Sequence, residues 1–159
     1  MDTQQLIKAF AATVQSSLHG LQSIEPVLRR EQQALTGKDP ELLAEIVAEK
    51  LALLKELEHS IQARDRVQKA AGLEVGLGGG SQLVEAMAQP ALTRDWSQLT
   101  DLAHTVAALN DRNGQLALHG QRTTRTALGI LTGRTENNDT YSPLRRKQAG
   151  VASYSLGKV

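Results

Sequence analysis

The spacing of apolar residues over positions 7–35 restricts this chain to one kind of local structure. Ile7, Phe10, Val14, Leu21, Ile24, Leu28 and Leu35 alternate at intervals of three and four once Ser17 and Glu31 are counted in the same stripe. At 100° per residue such a stripe stays on one helical face and slips back by about 20° per heptad, the drift that a left-handed supercoil absorbs. A helix of about 33 residues, roughly 50 Å long, is therefore predicted from Thr3 to about Leu35. Gly37 follows as a residue suited to a left-handed cap.

The next start signal is Asp39-Pro40-Glu41. Asp39 can accept from the orphan amides of a helix N-terminus, and Pro40 at the first helical position forfeits no hydrogen bond. The run to Ala71 carries a stripe of Leu43, Ile46, Leu53, Leu57 and Ile61 with Lys50 inside it, and Glu41, Glu45 and Glu49 charge its outer face. Two long helices joined by about four residues must lie antiparallel, as a helical hairpin over 3–71.

Five glycines then fall between Gly72 and Ser81. Each costs about 1 kcal/mol in a helix interior relative to alanine, so 72–81 is predicted to be a flexible connector. A short helix over 82–88 is expected to stop at Pro90. A third long helix is expected from about Arg94 to Leu131, with a seam of Trp96, Leu99, Ala103, Val106 and Leu109. Asn110 and Asn113 occupy that seam before Leu116, and Gly120 with Thr123-Thr124 weaken it. Ala127, Leu128, Ile130 and Leu131 then resume it, ahead of Gly133. The expected fold is all-α and coiled-coil-like: an elongated antiparallel hairpin plus a third long helix, with one short helix between. Residues 1–133 form the helical domain, and the polar 134–159 form a flexible, disordered basic tail.

Composition agrees with slender packing. The only aromatics are Phe10, Trp96, Tyr141 and Tyr154, whereas Leu and Ala, which suit thin interhelical seams, abound. Without cysteine there is no disulfide framework and no thiolate metal site. The opening MDTQQLIKAF lacks the apolar core of a secretory signal, and no stretch approaches the roughly 20 apolar residues of a membrane span. A cytoplasmic protein without membrane insertion is expected. Charge is unevenly spread: residues 1–111 hold ten Lys/Arg and fifteen Asp/Glu, while 112–159 hold eight and two. Such asymmetry marks an interaction segment.

Catalytic and metal chemistry find little support. Glu56-x-x-His59 and Asp101-x-x-His104 have the spacing of di-iron bundle ligands, but Glu56 and His59 centre roughly 150° from the inward Leu57 and Ile61. Asp101 and His104 likewise face away from Leu99, Ala103 and Val106. The glycine run has no GK[ST] ending and no strand before it, as a phosphate loop would require. No G-x-S-x-G or cysteine nucleophile occurs, so no enzyme, metal or cofactor is expected. Arg145-Arg146-Lys147 is short and lacks a stacking platform, which argues against nucleic-acid binding.

Leu116 to Leu131 has sparse apolar positions and only positive charges, Arg122 and Arg125. It reads equally as a loosely packed helix end and as an amphipathic face that gains full order against a partner helix. A self-associating coiled coil is an alternative for the whole chain, and a basic-tail nucleic-acid or membrane-surface binder is a second.

The order of features resembles the FlgN family of flagellar export chaperones. A long N-terminal hairpin leads to a helix carrying Asn110-Asp-Arg-Asn-Gly-Gln-Leu116, then Thr126-Ala-Leu-Gly-Ile-Leu131, then a polar tail with Thr140-Tyr141. The resemblance implies a cytosolic, non-enzymatic chaperone. Its implied cargo is the helical terminal segments of hook–filament junction proteins of the FlgK and FlgL type. It would prevent their premature assembly and deliver them to the flagellar export gate and ATPase complex. By position it implies cargo binding by Leu116, Thr123, Ala127, Leu128, Ile130 and Leu131, and export-gate docking by Tyr141. The chain departs from the family pattern after Tyr141, where Ser142-Pro143-Leu144 and a basic triplet delay the next glycine to Gly150.

Overall fold

In the computed structural model the described residues are 2–131, with side chains described as far as residue 120. The tail expected over 134–159 lies outside them. The described residues form four helices: α1 (Thr3–Gly37), α2 (Pro40–Ala70), α3 (Leu77–Met87) and α4 (Pro90–Leu131). The all-α, hairpin-plus-long-helix architecture read from the apolar spacing is the one observed.

Local chemistry explains most helix ends. Asp2 and Gln5 close a capping box, with the Gln5 amide donating to Asp2 Oδ1 at 2.9 Å and the Asp2 amide donating to Gln5 Oε1 at 3.1 Å. α1 continues through the exposed Pro26, because Ile24, Val27 and Leu28 are buried on its other face. Burial of about 1.5–3 kcal/mol per large apolar side chain outweighs the roughly 3 kcal/mol penalty of an internal proline. The left-handed residue at the C-terminus of α1 is Lys38 (φ 53°, ψ 46°), not Gly37, which is still helical. Asp39 caps α2 by accepting from the Leu42 amide at 3.1 Å.

α1 is the middle helix. α2 runs antiparallel to it: Ser17 Oγ donates to Ser60 Oγ at 3.2 Å, and Lys50 Nζ lies 3.1 Å from Glu31. α4 runs parallel to α1, since Phe10 meets Trp96 with ring centroids 5.8 Å apart while Asn113 meets Leu28 and Glu31 further along both helices. The main core joins the α1 stripe to Leu57, to Leu83 and Val84 of α3, and to Leu92, Trp96, Leu99, Ala103 and Val106 of α4. A smaller cluster of Val27, Ala34 and Ile46 closes the hairpin near its turn.

Two boundaries differ from those expected. Residues 77–81, read as part of a connector, open α3, and α4 begins at Pro90 instead of at about Arg94. Packing overrides the helix penalty of glycine at the first. A Cβ on Gly80 would stand 2.1 Å from Trp96 Cη2, and one on Gly79 would stand 1.8 Å from the Glu74 carbonyl oxygen. The glycines let the only tryptophan of the chain lie directly on α3, where its Nε1 donates to Ser81 Oγ at 3.0 Å. Pro90 lacks only an amide that the first turn of a helix leaves unbonded in any case.

Candidate functional site

Each of the three long apolar seams is interrupted by polar residues, among them Glu31 in α1, Lys50 in α2 and Asn113 in α4. The fold brings these three together. Lys50 Nζ donates to both Glu31 carboxylate oxygens at 3.1 Å, and Asn113 Nδ2 donates to Glu31 Oε2 and to the Leu28 carbonyl oxygen, each at 2.8 Å. Asn113 is 2 % exposed and Glu31 6 %. Asn113 Oδ1 is buried without a partner. Carboxylate, ammonium and amide each supply what the others lack, which makes this burial tolerable.

The cluster marks a change along α4. Before it, Trp96, Leu99, Ala103 and Val106 are buried against the hairpin. After it, no described side chain of α4 is buried, although the helix continues to Leu131. Leu116 and Ala117 are half-buried, and Leu118 is 56 % exposed. Of the residues implied for cargo binding, Leu116 is therefore placed at the rim of the packed region. Thr123, Ala127, Leu128, Ile130 and Leu131 fall within α4, but their side chains lie outside the described residues, as does Tyr141 altogether.

A second polar group lies at the other end of the bundle. Arg64 is 1 % exposed, with its guanidinium carbon 5.7 Å from the Trp96 ring centroid and its Nη2 3.5 Å from Asp65 Oδ1. Its Nε has no partner. Burial pushes the Arg64 pKa below its ordinary value, and the Asp65 charge opposes that shift only in part. Gln68 Nε2 donates to the Gly76 carbonyl oxygen at 2.8 Å, fastening the turn into α3. Ser17, Leu21, Leu57, Ile61, Arg64 and three α4 residues line a cavity of about 10 Å³. That is room for about one water, against the roughly 300 Å³ or more of a small-molecule pocket.

Glu56, His59, Asp101 and His104 are all exposed, on the outward faces that helical geometry assigned them. Among the described residues no three His, Asp or Glu side chains are grouped as a metal site would need, and no helix is long and apolar enough to cross a membrane.

The meeting of Glu31, Lys50 and Asn113 is what a seam-by-seam reading misses. Glu31 and Lys50 carry opposite charges at positions that the short hairpin turn brings opposite each other. That signal is visible in the sequence. The parallel register that brings Asn113 to them is not.

Comparison with known proteins agrees with this architecture. The profile of the FlgN protein family matches residues 1–148. A flagella synthesis protein FlgN from Proteus mirabilis is 31% identical over 113 residues, spanning 70% of this chain and 71% of that protein. The crystal structure of a flagella synthesis protein FlgN from Pseudomonas aeruginosa superposes with a TM-score of 0.54 at 25% identity, covering 82% of this chain and 98% of that one. The family match over nearly the whole chain, on a hairpin with a long third helix, establishes that this protein belongs to the FlgN family and serves flagellar assembly.

Proposed function

We propose that this protein is a cytosolic export chaperone. It binds helical terminal segments of hook–filament junction proteins of the FlgK and FlgL type, keeps them from assembling early, and hands them to the flagellar export gate and ATPase complex. The observation that carries this reading is the loss of burial along α4: past Asn113 the helix runs on to Leu131 without a buried described side chain. In sequence that stretch resumes an apolar stripe at Ala127, Leu128, Ile130 and Leu131. A subunit segment that must later polymerise has an exposed apolar face, and covering it with a complementary helix is recognition of the helix-in-groove kind. Ordering a marginal helix on binding lowers affinity while keeping contact area, which suits a complex that must dissociate at export.

Replacing Leu128 and Leu131 together by serine is expected to abolish binding of a FlgK-type C-terminal segment while the thermal unfolding of the bundle stays within a few degrees. Unchanged affinity would remove this face from consideration. Tyr141 is proposed to dock on the export gate. Tyr141→Ala is then expected to weaken gate binding at least tenfold and leave cargo binding intact, and equal gate affinity would refute that role.

A further inference from the structure

We propose that the N-terminal half of α2 is the second wall of the groove that receives the cargo helix. The proposal rests on the chaperone reading above. α4 alone offers a partner helix one wall, and helix-in-groove recognition takes two.

α2 carries two apolar stripes side by side. The first, through Ile46, Leu53 and Leu57, packs on α1. The second is Ala44, Val47, Leu51, Leu54 and Ile61, with the same spacing of three and four once Glu58 is counted, set one residue further along. A stripe of that double width lets a helix touch two neighbours. α4 covers only its C-terminal end, where Ile61 shares a cavity wall with Leu99, Ala103 and Val106. Towards the N-terminus the second stripe opens: Val47 and Leu54 are half-buried, Ala44 is exposed and Leu51 is 52 % exposed.

α4 turns small residues to that opening. Lys50 and Asn113 meet on the same Glu31 oxygen, so the two antiparallel helices are level at 50 and 113. Ala107, Gly114 and Leu118 follow Ala103 at helical intervals, which keeps them on the face that Ala103 turns to α2. Ala107 is half-buried, and a Cβ on Gly114 would meet nothing within 4 Å, so the space beside it is open. Leu118, 56 % exposed, stands on this face about 9 Å along the axis from the level of Leu51. Among the described residues, Leu51 and Leu118 are the two most exposed large apolar side chains, and they border the same opening.

The rims point to the occupant. Glu58 lies within the second α2 stripe, and Asp111 lies one turn from Gly114 on α4, both exposed, with Lys55 as the cation on this side of α2. The opening suits an amphipathic helix whose apolar stripe covers Leu51 and Leu118 and whose flanks carry lysine or arginine towards Glu58 and Asp111. A second copy docking by this face would set one acidic rim against another. α4 runs on from here to the residues proposed to hold cargo, so one bound helix can lie against both.

Calorimetric titration of the full chain with a FlgK-type C-terminal segment, alongside sedimentation of the free chain, tests this. Leu51→Gln and Leu118→Gln are each expected to weaken binding at least about tenfold. Their thermal unfolding is expected to stay within a few degrees of the parent, because both side chains are already more than half exposed. Leu42→Gln is the control. That leucine is 42 % exposed, but it lies nine residues from Leu51, on the opposite side of α2, and is expected to change affinity less than about twofold. Glu58→Gln with Asp111→Asn is expected to remove most of the salt dependence of parent binding. Binding by the parent that ignores salt would refute the cationic flanks.

Parent-like affinity in Leu51→Gln, while Leu128→Ser with Leu131→Ser abolishes binding, would overturn the second wall and leave the chaperone reading standing. Equal losses at Leu42 and Leu51 would also overturn it. No binding by the parent chain would sink both readings. A change in the sedimentation mass of free Leu51→Gln, at parent-like cargo affinity, would give the opening to a second copy and contradict the proposal.

Discussion

At the residue scale, two buried polar side chains solve the same problem with different success. Glu31 is matched by a cation and an amide donor. Arg64 has Asp65 at 3.5 Å, an unpartnered Nε and the face of Trp96. Because burial depresses its pKa, the fold disfavours the charged form. Arg64 in its charged form therefore subtracts from stability. Replacing such a charge by an apolar side chain of similar volume is commonly neutral or stabilising. Arg64→Met is accordingly expected to leave stability unchanged or raise it by about 1–2 kcal/mol in urea unfolding. A loss of more than about 2 kcal/mol would mean that the cation–π contact outweighs the desolvation. Sequence periodicity placed Glu31, Lys50 and Asn113 correctly in their seams. It offered no reason to find Arg64 or Gln68 in a core, because the apolar stripe of α2 fades after Ile61 and no apolar residue announces that the inward face continues.

At the scale of the element, α3 shows where composition misleads. Glycine is read as a helix breaker because it carries backbone entropy and no side chain. In α3 the missing side chain is the useful property, since it opens a surface on which the Trp96 indole rests. Gly80→Ala is expected to cost about 2–3 kcal/mol and to shift the fluorescence of Trp96, because neither the indole nor the α3 backbone can move without losing other contacts. Gly78→Ala, with nothing within 4 Å of the new Cβ, is expected to be neutral or stabilising by up to about 1 kcal/mol. Equal effects at the two positions would show that Trp96 does not depend on the glycine face. The long helices were more legible than α3, because 3,4 spacing over many turns and caps such as Asp39-Pro40 leave little room for another structure. The connector was not, because its conformation is decided by Trp96 and Gln68, whose contacts with it no local pattern announces.

At the scale of the molecule, one hairpin supplies the frame and one long helix supplies the variable part. α4 has 42 residues against 35 in α1, and its described side chains are buried only as far as Asn113. Apolar spacing could not say whether the α4 seam would be completed by α1, by another copy of the chain or by a different protein. The structure completes it with α1 as far as Asn113. From Gly114 to Gly120 no side chain of α4 is buried, and this is the stretch that leads into the residues proposed above to bind cargo.

Calorimetric titration of the full chain with the isolated C-terminal helical segment of a FlgK-type junction protein, repeated at several temperatures, tests the central claim most directly. A one-to-one complex with a negative heat-capacity change is expected, the signature of apolar faces closing on each other. An absence of binding by a chain shown to be folded would contradict the chaperone reading. A heat-capacity change near zero would place the recognition somewhere other than the apolar face of α4.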